Sequence, residues 1–500
     1  MEINPTFREV KTDCEKRLAY KQIVMQCNLD TSAKNGVSRV CFVTSDVIIT
    51  KAQTLSKQAK VSGKATIKAV YFDIEGTLRS FDYISDFVED VEDDDIVANA
   101  PMRVMAKIVD SDSQVTESQI KIQLVIELTP IMIESITNEY LTDIDNALRL
   151  DSVVTNQQFV EYLDQEIDVT EEFDSGVKID DVLYCNCRPV IENIVTKDKS
   201  ATFNGIVDID LIYTAGNGTY TKELSTPFVY ETPMQDGKLA VEGYVCPKNC
   251  KIVLQGTEKS NVICLDMTLA LSGVVMEQEE IAVIVDAYCP TKQLKSETKQ
   301  FEMNKIVCAT VLEETISGLA EIDDKLNVEN ILSTNVYQNT NANITVGDSE
   351  CVCEGLVEVC VIFEDDNAIK RSVQIELPYS LKFENEKITP SRKVYAESIC
   401  NNINAKLKKR NQIEIVMNVI FSCYVEEEVC QELISSLEQG EDIQTNTNSI
   451  TIYLTQKGQS KWDIAKELAM PIVDIEEQNN DLPEIMSGEE RLIVYRELKM

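Results

Sequence analysis

Cysteine is the residue type in this sequence best suited to chemistry, since thiols form disulfides and bind zinc. The 500-residue chain contains sixteen cysteines. Most thiols of a long cytosolic chain stay reduced, so the number alone does not indicate disulfides. Cys185 with Cys187 and Cys351 with Cys353 form C-x-C pairs. Because residues two apart in a strand share a face, we expect both thiols of each pair to be buried together.

A zinc site receives little support from the sequence. Zinc usually takes four ligands, from C-x-x-C pairs or with histidine. The chain has no histidine, and no two cysteines have the C-x-x-C spacing. Cys246 and Cys250, on either side of Pro-Lys-Asn, are the remaining candidates for a metal or redox site. We therefore predict no metal site and no cofactor.

The absence of histidine also weighs against catalysis. Without histidine there is no Ser-His or Cys-His pair, and neither G-x-x-x-x-G-K-[ST] nor G-x-G-x-x-G is present to hold phosphates. Paired carboxylates can be drawn anywhere among 85 acidic residues, so they carry little information. We predict that the protein is not an enzyme.

The net charge of −38 excludes one class of partner. Affinity for nucleic acid comes largely from Lys and Arg that displace counterions from phosphate, so nucleic acid is an improbable ligand. The chain begins without the apolar run of a signal peptide, and its longest apolar stretches are far shorter than a membrane span. We expect a folded cytoplasmic protein that is not an integral membrane protein.

The elements that must position these residues repeat along the chain. Three segments each open with a glycine, Gly63, Gly205 or Gly355, and then place apolar residues at every second position up to an aromatic residue. This period of two predicts strands with one buried face. A second landmark follows about two dozen residues after each glycine, and it contains Phe87, Phe228 and Tyr379. Apolar alternation returns later in each copy, at 120–128, 263–271 and 413–421.

A unit of roughly 150 residues therefore occurs three times. We predict a mainly β protein with three tandem, sandwich-like β domains at 1–150, 151–302 and 303–435. A polar stretch at 436–448 reads as a linker. The run of acidic residues at 89–95 is expected in a solvated loop.

The last predicted domain, 449–498, has the order strand, helix, helix, strand. Its residues resemble the LysM pattern of about 50 positions. The matching positions are Tyr453, Lys457, Gly458, Ser460, Ile464, Ala465, Ile475, Asn479, Gly488, Leu492 and Ile493.

The LysM resemblance implies a ligand groove between the loop after the first strand and the loop before the last one. The groove residues it implies here are Lys457, Gly458, Gln459, Ser460, Lys461, Trp462, Leu482, Pro483, Ile485, Met486 and Gly488. Most LysM modules bind glycans that contain N-acetylglucosamine. Gln459, Lys461 and Ser487 replace the usual Asp, Leu and Pro, and these departures weigh against sugar binding.

Trp462 is the only tryptophan in the chain, and two interpretations of it remain open. The indole could pack beneath the module's own loops. It could instead be a partly exposed anchor, because aromatic residues with a polar edge are enriched in binding hot spots.

Three such β units followed by a LysM-like module resemble the SPOCS-LysM architecture of clostridial spore-coat morphogenetic proteins. The resemblance covers nearly the whole chain and implies a non-enzymatic scaffold. Its LysM module would bind the basement-layer ATPase of the coat, in the mother-cell cytoplasm at the forespore surface, and its repeats could contact other coat proteins. The alternative is a peptidoglycan or cortex protein whose LysM module binds glycan. An envelope-associated protein of growing cells is a third interpretation.

Overall fold

The computed structural model describes residues 2–495, with the exception of 117, 198–199, 217, 234–237, 257–260, 324–326, 340–342, 410, 444–449 and 480. This part of the chain contains 22 strands and two α-helices, so the prediction of a mainly β protein is confirmed. None of its helices is both long enough and apolar enough to cross a lipid bilayer.

The first unit consists of two antiparallel sheets. Its strands are β1 (Pro5–Arg17), β2 (Lys21–Asp30), β3 (Arg39–Leu55), β4 (Gln58–Phe72), β5 (Leu78–Glu92), β6 (Met102–Thr116) and β7 (Gln119–Ile144), with a short 3-10 helix at Ser32–Lys34. One sheet has the order β3-β4-β5. In the other, β7 lies at the centre and pairs with β1, β2 and β6. Apolar side chains at every second position of β4 and β7 face one another and form the core between the sheets.

The second unit repeats this arrangement. Its strands are β8 (Leu148–Asp174), β9 (Asp181–Lys197), β10 (Ser200–Ala215), β11 (Gly218–Pro233), β12 (Lys238–Gly256) and β13 (Asn261–Tyr288). The sheets are β11-β10-β9 and β12-β13-β8, so the single long strand β8 takes the place of β1 and β2. The two sheets enclose a core of their own.

The third unit also consists of two antiparallel sheets of its own. Its strands are β14 (Lys292–Glu321), β15 (Val328–Asn339), β16 (Asn343–Val346), β17 (Glu350–Asp365), β18 (Lys370–Glu384), β19 (Lys393–Lys409) and β20 (Gln412–Asp442). β17 pairs with β15, β16 and β18, and β20 pairs with β14 and β19. The predicted boundary at 302–303 falls inside β14, and β20 extends through the first half of the predicted linker, because the backbone there continues to pair with the first half of β14.

The glycine and the later aromatic residue of each copy are partners across neighbouring strands. The register places Gly63 opposite Phe87, Gly205 opposite Phe228 and Gly355 opposite Tyr379. Each ring covers its glycine so closely that a β-carbon at Gly355 would lie 2.3 Å from the Tyr379 hydroxyl. The sequence spacing of the two landmarks is thus the spacing of one cross-strand contact.

Only part of the strand prediction holds for β4, β10 and β17. We predicted one buried face, but near the ends of these strands both faces are buried. Val70, Ile212 and Ile362 occupy equivalent positions, seven residues after the repeat glycines, and lie in one cluster of buried residues drawn from all three units. The prediction was wrong here because it considered each unit alone, whereas the outer face of each sheet is covered by the other two units.

The three units also meet through their long strands. The second halves of β7, β13 and β20 extend beyond their own sandwiches and pair with β1 and with the first halves of β8 and β14. Two further buried clusters there each take side chains from all three units. The units therefore form one body rather than a string of separate domains.

The acidic run at 89–95 lies only partly in a loop. β5 continues to Glu92, and a turn follows it. The prediction of a loop over the whole run was wrong because the strand alternation extends into the acidic residues, whose side chains point to solvent between buried positions such as Val91.

The C-terminal module consists of β21 (Ile450–Leu454), α1 (Lys461–Glu467), α2 (Ile472–Gln478) and β22 (Arg491–Tyr495). The strands are antiparallel neighbours. α1 begins with a capping box, in which Ser460 accepts from the Asp463 amide and the Asp463 carboxylate accepts from the Ser460 amide. Such a box satisfies backbone groups that a short helix would otherwise leave unpaired.

Candidate functional site

Trp462 joins the C-terminal module to the second unit. Its side chain is only 9% exposed. The indole Nε1 donates a hydrogen bond of 2.8 Å to the Asp286 carboxylate on β13. The ring packs edge-on against Tyr288, with centroids 4.9 Å apart. The indole is therefore packed, as the first interpretation holds, but against another unit rather than beneath its own loops.

Two more contacts fix the same junction. The Lys466 ammonium donates to both oxygens of Asp286, at 2.7 and 2.8 Å. The Tyr288 hydroxyl donates to the Met470 carbonyl at 2.7 Å. Tyr288 and Trp462 belong to one apolar cluster with the core of the module. Asp286 thus receives both the indole N–H and the ammonium, and charge-assisted bonds of this kind are stronger than neutral ones.

The two loops of the implied groove lie side by side. The Gly458 amide donates to the Met486 carbonyl at 2.9 Å, and the Met486 amide donates to the Gln459 carbonyl at 2.8 Å. The Lys461 amide donates to the Glu484 carbonyl at 3.2 Å. These bonds join the loops through their backbones.

A shallow pocket lies beside the joined loops. It encloses almost no space that a water-sized molecule could occupy, whereas small-molecule pockets usually begin at roughly 300 Å³. Its lining comprises Lys461, Ile464, Ile472, Ile475, Glu476, Leu482, Met486 and Leu492. The pocket therefore brings together Lys461, Leu482 and Met486 of the implied groove.

The other implied groove residues lie elsewhere on the two loops. Gly458 and Gly488 have φ of 89° and 92°, which glycine tolerates, and they shape the turns. The Gln459 side chain donates to the Tyr453 hydroxyl and accepts from the Gln456 amide, and Ser460 caps α1. Lys457, Pro483 and Ile485 are exposed. Trp462 faces the second unit.

Acidic residues near the two loops either neutralise the charge of Lys461 or accept hydrogen bonds that order the second loop. Lys461 is paired with Glu476 at 2.6 Å and with Glu484 at 3.6 Å, and the hydrogen bond that the ammonium donates to Glu476 raises the pKa of the lysine. Glu490 accepts from the Ser487 hydroxyl at 2.7 Å and also from backbone amides of its loop. The Ser487 side chain is the main cause that lowers the pKa of Glu490 to about 2.

The outer face of the β21–β22 sheet is a surface that the sequence reasoning missed. Its large apolar side chains are 53–68% exposed. They are Ile450, Ile452, Leu454, Ile493 and Tyr495. The register places Ile452 directly opposite Ile493 and Ile450 opposite Tyr495, so the side chains form one continuous patch. The inner face carries Leu492 and Val494, which are buried against the helices. The alternation of β21 could have revealed this patch, because every second residue of I-T-I-Y-L is aliphatic.

No protein-family model, curated protein or solved structure matches this chain. The function is therefore argued from the residues and their geometry.

The cysteines include one group that could hold a metal. Cys185 and Cys187 are both buried, as are Cys351 and Cys353, so the prediction for the two C-x-C pairs is confirmed. The sulfurs of Cys185 and Cys187 converge with that of Cys250, and all three lie within 4.8 Å of one another. The predicted candidates Cys246 and Cys250 are not brought together as a pair of ligands. Cys246 is outside this group, and its Sγ lies 3.8 Å from the Ala270 carbonyl oxygen.

Proposed function

We propose that this protein is a non-enzymatic spore-coat morphogenetic scaffold. In this proposal the three two-sheet units are SPOCS-type domains, and the C-terminal LysM-type module binds the basement-layer ATPase of the coat. The protein acts in the mother-cell cytoplasm, at the forespore surface.

The observation that carries the proposal is the apolar outer face of the β21–β22 sheet. A contiguous exposed apolar patch on a folded protein commonly marks a protein interaction site. The backbone of this face is fixed by cross-strand pairing, so little backbone entropy is lost when a partner covers it. Sugars would instead need convergent polar groups in a concave site.

The body formed by the three units supports a scaffold role. Apolar clusters shared by all three units hold them together. The module is fixed to this body by Trp462, Lys466 and Tyr288. A partner bound at the β21–β22 face would therefore be held in a fixed orientation relative to the whole body.

Glycan binding is the second candidate, and the pocket beside the joined loops favours it. Lys461 and Glu476 line this pocket and offer polar groups to a sugar. Their mutual ion pair already satisfies both of them, and a sugar would have to compete with it. We therefore place glycan binding behind protein binding.

The test is a binding assay with the full-length protein and the purified coat ATPase, run in parallel with sedimentation on insoluble peptidoglycan. The variant Ile452→Glu with Ile493→Glu places two charges on the patch. We expect it to bind the ATPase at least about 30-fold more weakly, since disrupted hot spots cost about 2 kcal/mol or more.

The matched control is Val88→Glu with Val229→Glu, two similarly exposed apolar residues on strands of the first and second units. We expect this control to bind the ATPase as the unaltered protein does. Equal ATPase binding by both variants would show that the β21–β22 face is not the binding surface. Sedimentation with peptidoglycan that Lys461→Glu abolishes, without ATPase binding, would instead support the glycan function.

A further inference from the structure

Three thiols from two different sheets meet inside the second unit. Cys185 and Cys187 lie on β9, and Cys250 lies on β12, in the sheet that packs against it. The sulfurs of Cys185 and Cys250 are 3.6 Å apart, and the sulfur of Cys187 completes the group. Within the described residues, this is the one cluster of three or more potential metal ligands among His, Cys, Asp and Glu.

The repeat shows that the sandwich does not need these thiols for packing. Cys185 and Cys187 stand opposite Leu211 and Ile209 of β10. The equivalent positions are Val43 and Ser45 in the first unit, and Thr334 and Val336 in the third. Three copies of one fold therefore pack with different side chains here.

The position of Cys250 leads to the same conclusion. Cys250 stands opposite Met267 of β13, whose counterpart in the first unit is Leu124. The residue opposite Leu124 is Ser111. Among the residues that the structure describes, three sulfurs thus converge in the second unit alone.

The geometry suits one soft metal ion in trigonal coordination. Metal–sulfur bonds of about 2.3 Å in a trigonal plane place the sulfurs about 4 Å apart, which is close to the separations in the cluster. Thiolates select soft ions such as Cu(I), whereas a structural zinc site takes four protein ligands. The cluster supplies three.

The surroundings allow both entry and charge compensation. Cys250 is half-buried, so an ion can approach from its side, whereas Cys185 and Cys187 are buried. The Lys68 ammonium, from the first unit, donates to the Cys185 carbonyl. This ammonium brings a positive charge close to the three thiols, where it can offset the negative charge of thiolates that bind a metal ion.

We propose that Cys185, Cys187 and Cys250 form a trithiolate site for one Cu(I) ion, which ties the two sheets of the second unit together. Binding releases the protons still held by the thiols, and three sulfur–copper bonds form. Copper enters and remains as Cu(I), so no electron is transferred.

The test is anaerobic titration of the reduced full-length protein with Cu(I), in competition with a chromogenic Cu(I) chelator. X-ray absorption counts the sulfur neighbours of the bound ion. We expect one tightly held Cu(I) with three sulfur neighbours, and a higher thermal midpoint when it is bound. Cys250→Ser, which introduces the residue found at the equivalent position of the first unit, should lose this ion.

Cys353→Ser is the matched control, since it also removes a thiol from a buried C-x-C pair but lies outside the cluster. It should retain the ion. Equal copper binding by the two variants would overturn the proposal, and so would two sulfur neighbours in place of three. If the protein retained Zn(II) in preference to Cu(I) under the same competition, the cluster would be a zinc site and the assignment of Cu(I) would be wrong. Isolation of a Cys185–Cys250 disulfide, with no copper held by the reduced protein, would assign the cluster to disulfide chemistry.

Discussion

Asp286 controls the position of the C-terminal module through two hydrogen-bonded partners. It accepts from the Trp462 indole and from the Lys466 ammonium, and it lies 176 residues from Trp462 in the chain. Because the indole is buried and the carboxylate is largely buried in this contact, the loss of either group leaves the other without its partner and still desolvated. A single carboxylate thus connects two parts of the molecule that are distant in sequence.

The sole tryptophan makes this junction measurable. We expect Asp286→Asn to weaken docking by about 1–3 kcal/mol, since the variant removes the charged acceptor. The fluorescence maximum should shift to longer wavelength, and acrylamide should quench the indole more efficiently. Asp266→Asn, an exposed residue of the same strand, is the control and should change neither property. An unaltered emission spectrum in Asp286→Asn would contradict this account of the junction.

Some residue roles could be predicted from the sequence. The burial of both C-x-C pairs followed from the period of a strand. The partner of Trp462 could not be predicted, because no local pattern encodes a contact across 176 residues. The third thiol of the cluster could not be predicted either, because Cys250 reaches Cys185 only after two sheets pack together.

The contact between a glycine and an aromatic ring is the device that all three sandwiches share. The far end of the ring lies over the glycine and fills the space that any side chain there would need. This contact fixes the register of two neighbouring strands, because a slip by one residue would place a β-carbon beneath the ring. Both landmarks could be recognised in the sequence, but their pairing required the register.

A double-mutant cycle tests this contact at Gly355, where the three atoms nearest to an added β-carbon all belong to the Tyr379 side chain. We expect Gly355→Ala to lower the free energy of unfolding by about 1–3 kcal/mol, as overpacking does. In a Tyr379→Leu background the same change should cost less, because the ring is absent. Denaturant unfolding of the four proteins gives the coupling energy, and a value of zero would show that the ring and the glycine act independently.

The three units are joined by buried clusters that no unit could form alone. Val70, Ile212 and Ile362 meet at the first of these clusters, one residue from each unit. The sequence repeat predicted three similar units. It did not predict that they close on one another, because the repeat describes what the copies share and not the surfaces between them.

Because the three units pack on one another, we expect them to unfold as one cooperative body. Ile362→Ala lies in the third unit, and we expect it to cost about 2–5 kcal/mol, as large-to-small changes in a core do. Its effect should appear equally in the fluorescence of Trp462, on the module docked to the second unit, and in far-UV circular dichroism. The control Ile369→Ala removes an exposed isoleucine of the same unit and should have little effect. Separate midpoints for the two signals would show that the units unfold independently.

The closed arrangement of three units on one chain has a consequence for how the protein behaves when it is scarce. An assembly of three separate chains falls apart on dilution, because association depends on their concentration. Here the three units belong to one chain. Short connections keep them close to one another, at an effective concentration on the order of millimolar or more. The body is therefore complete in every single molecule, from the first copy synthesised, and each copy brings one β21–β22 face with its three units.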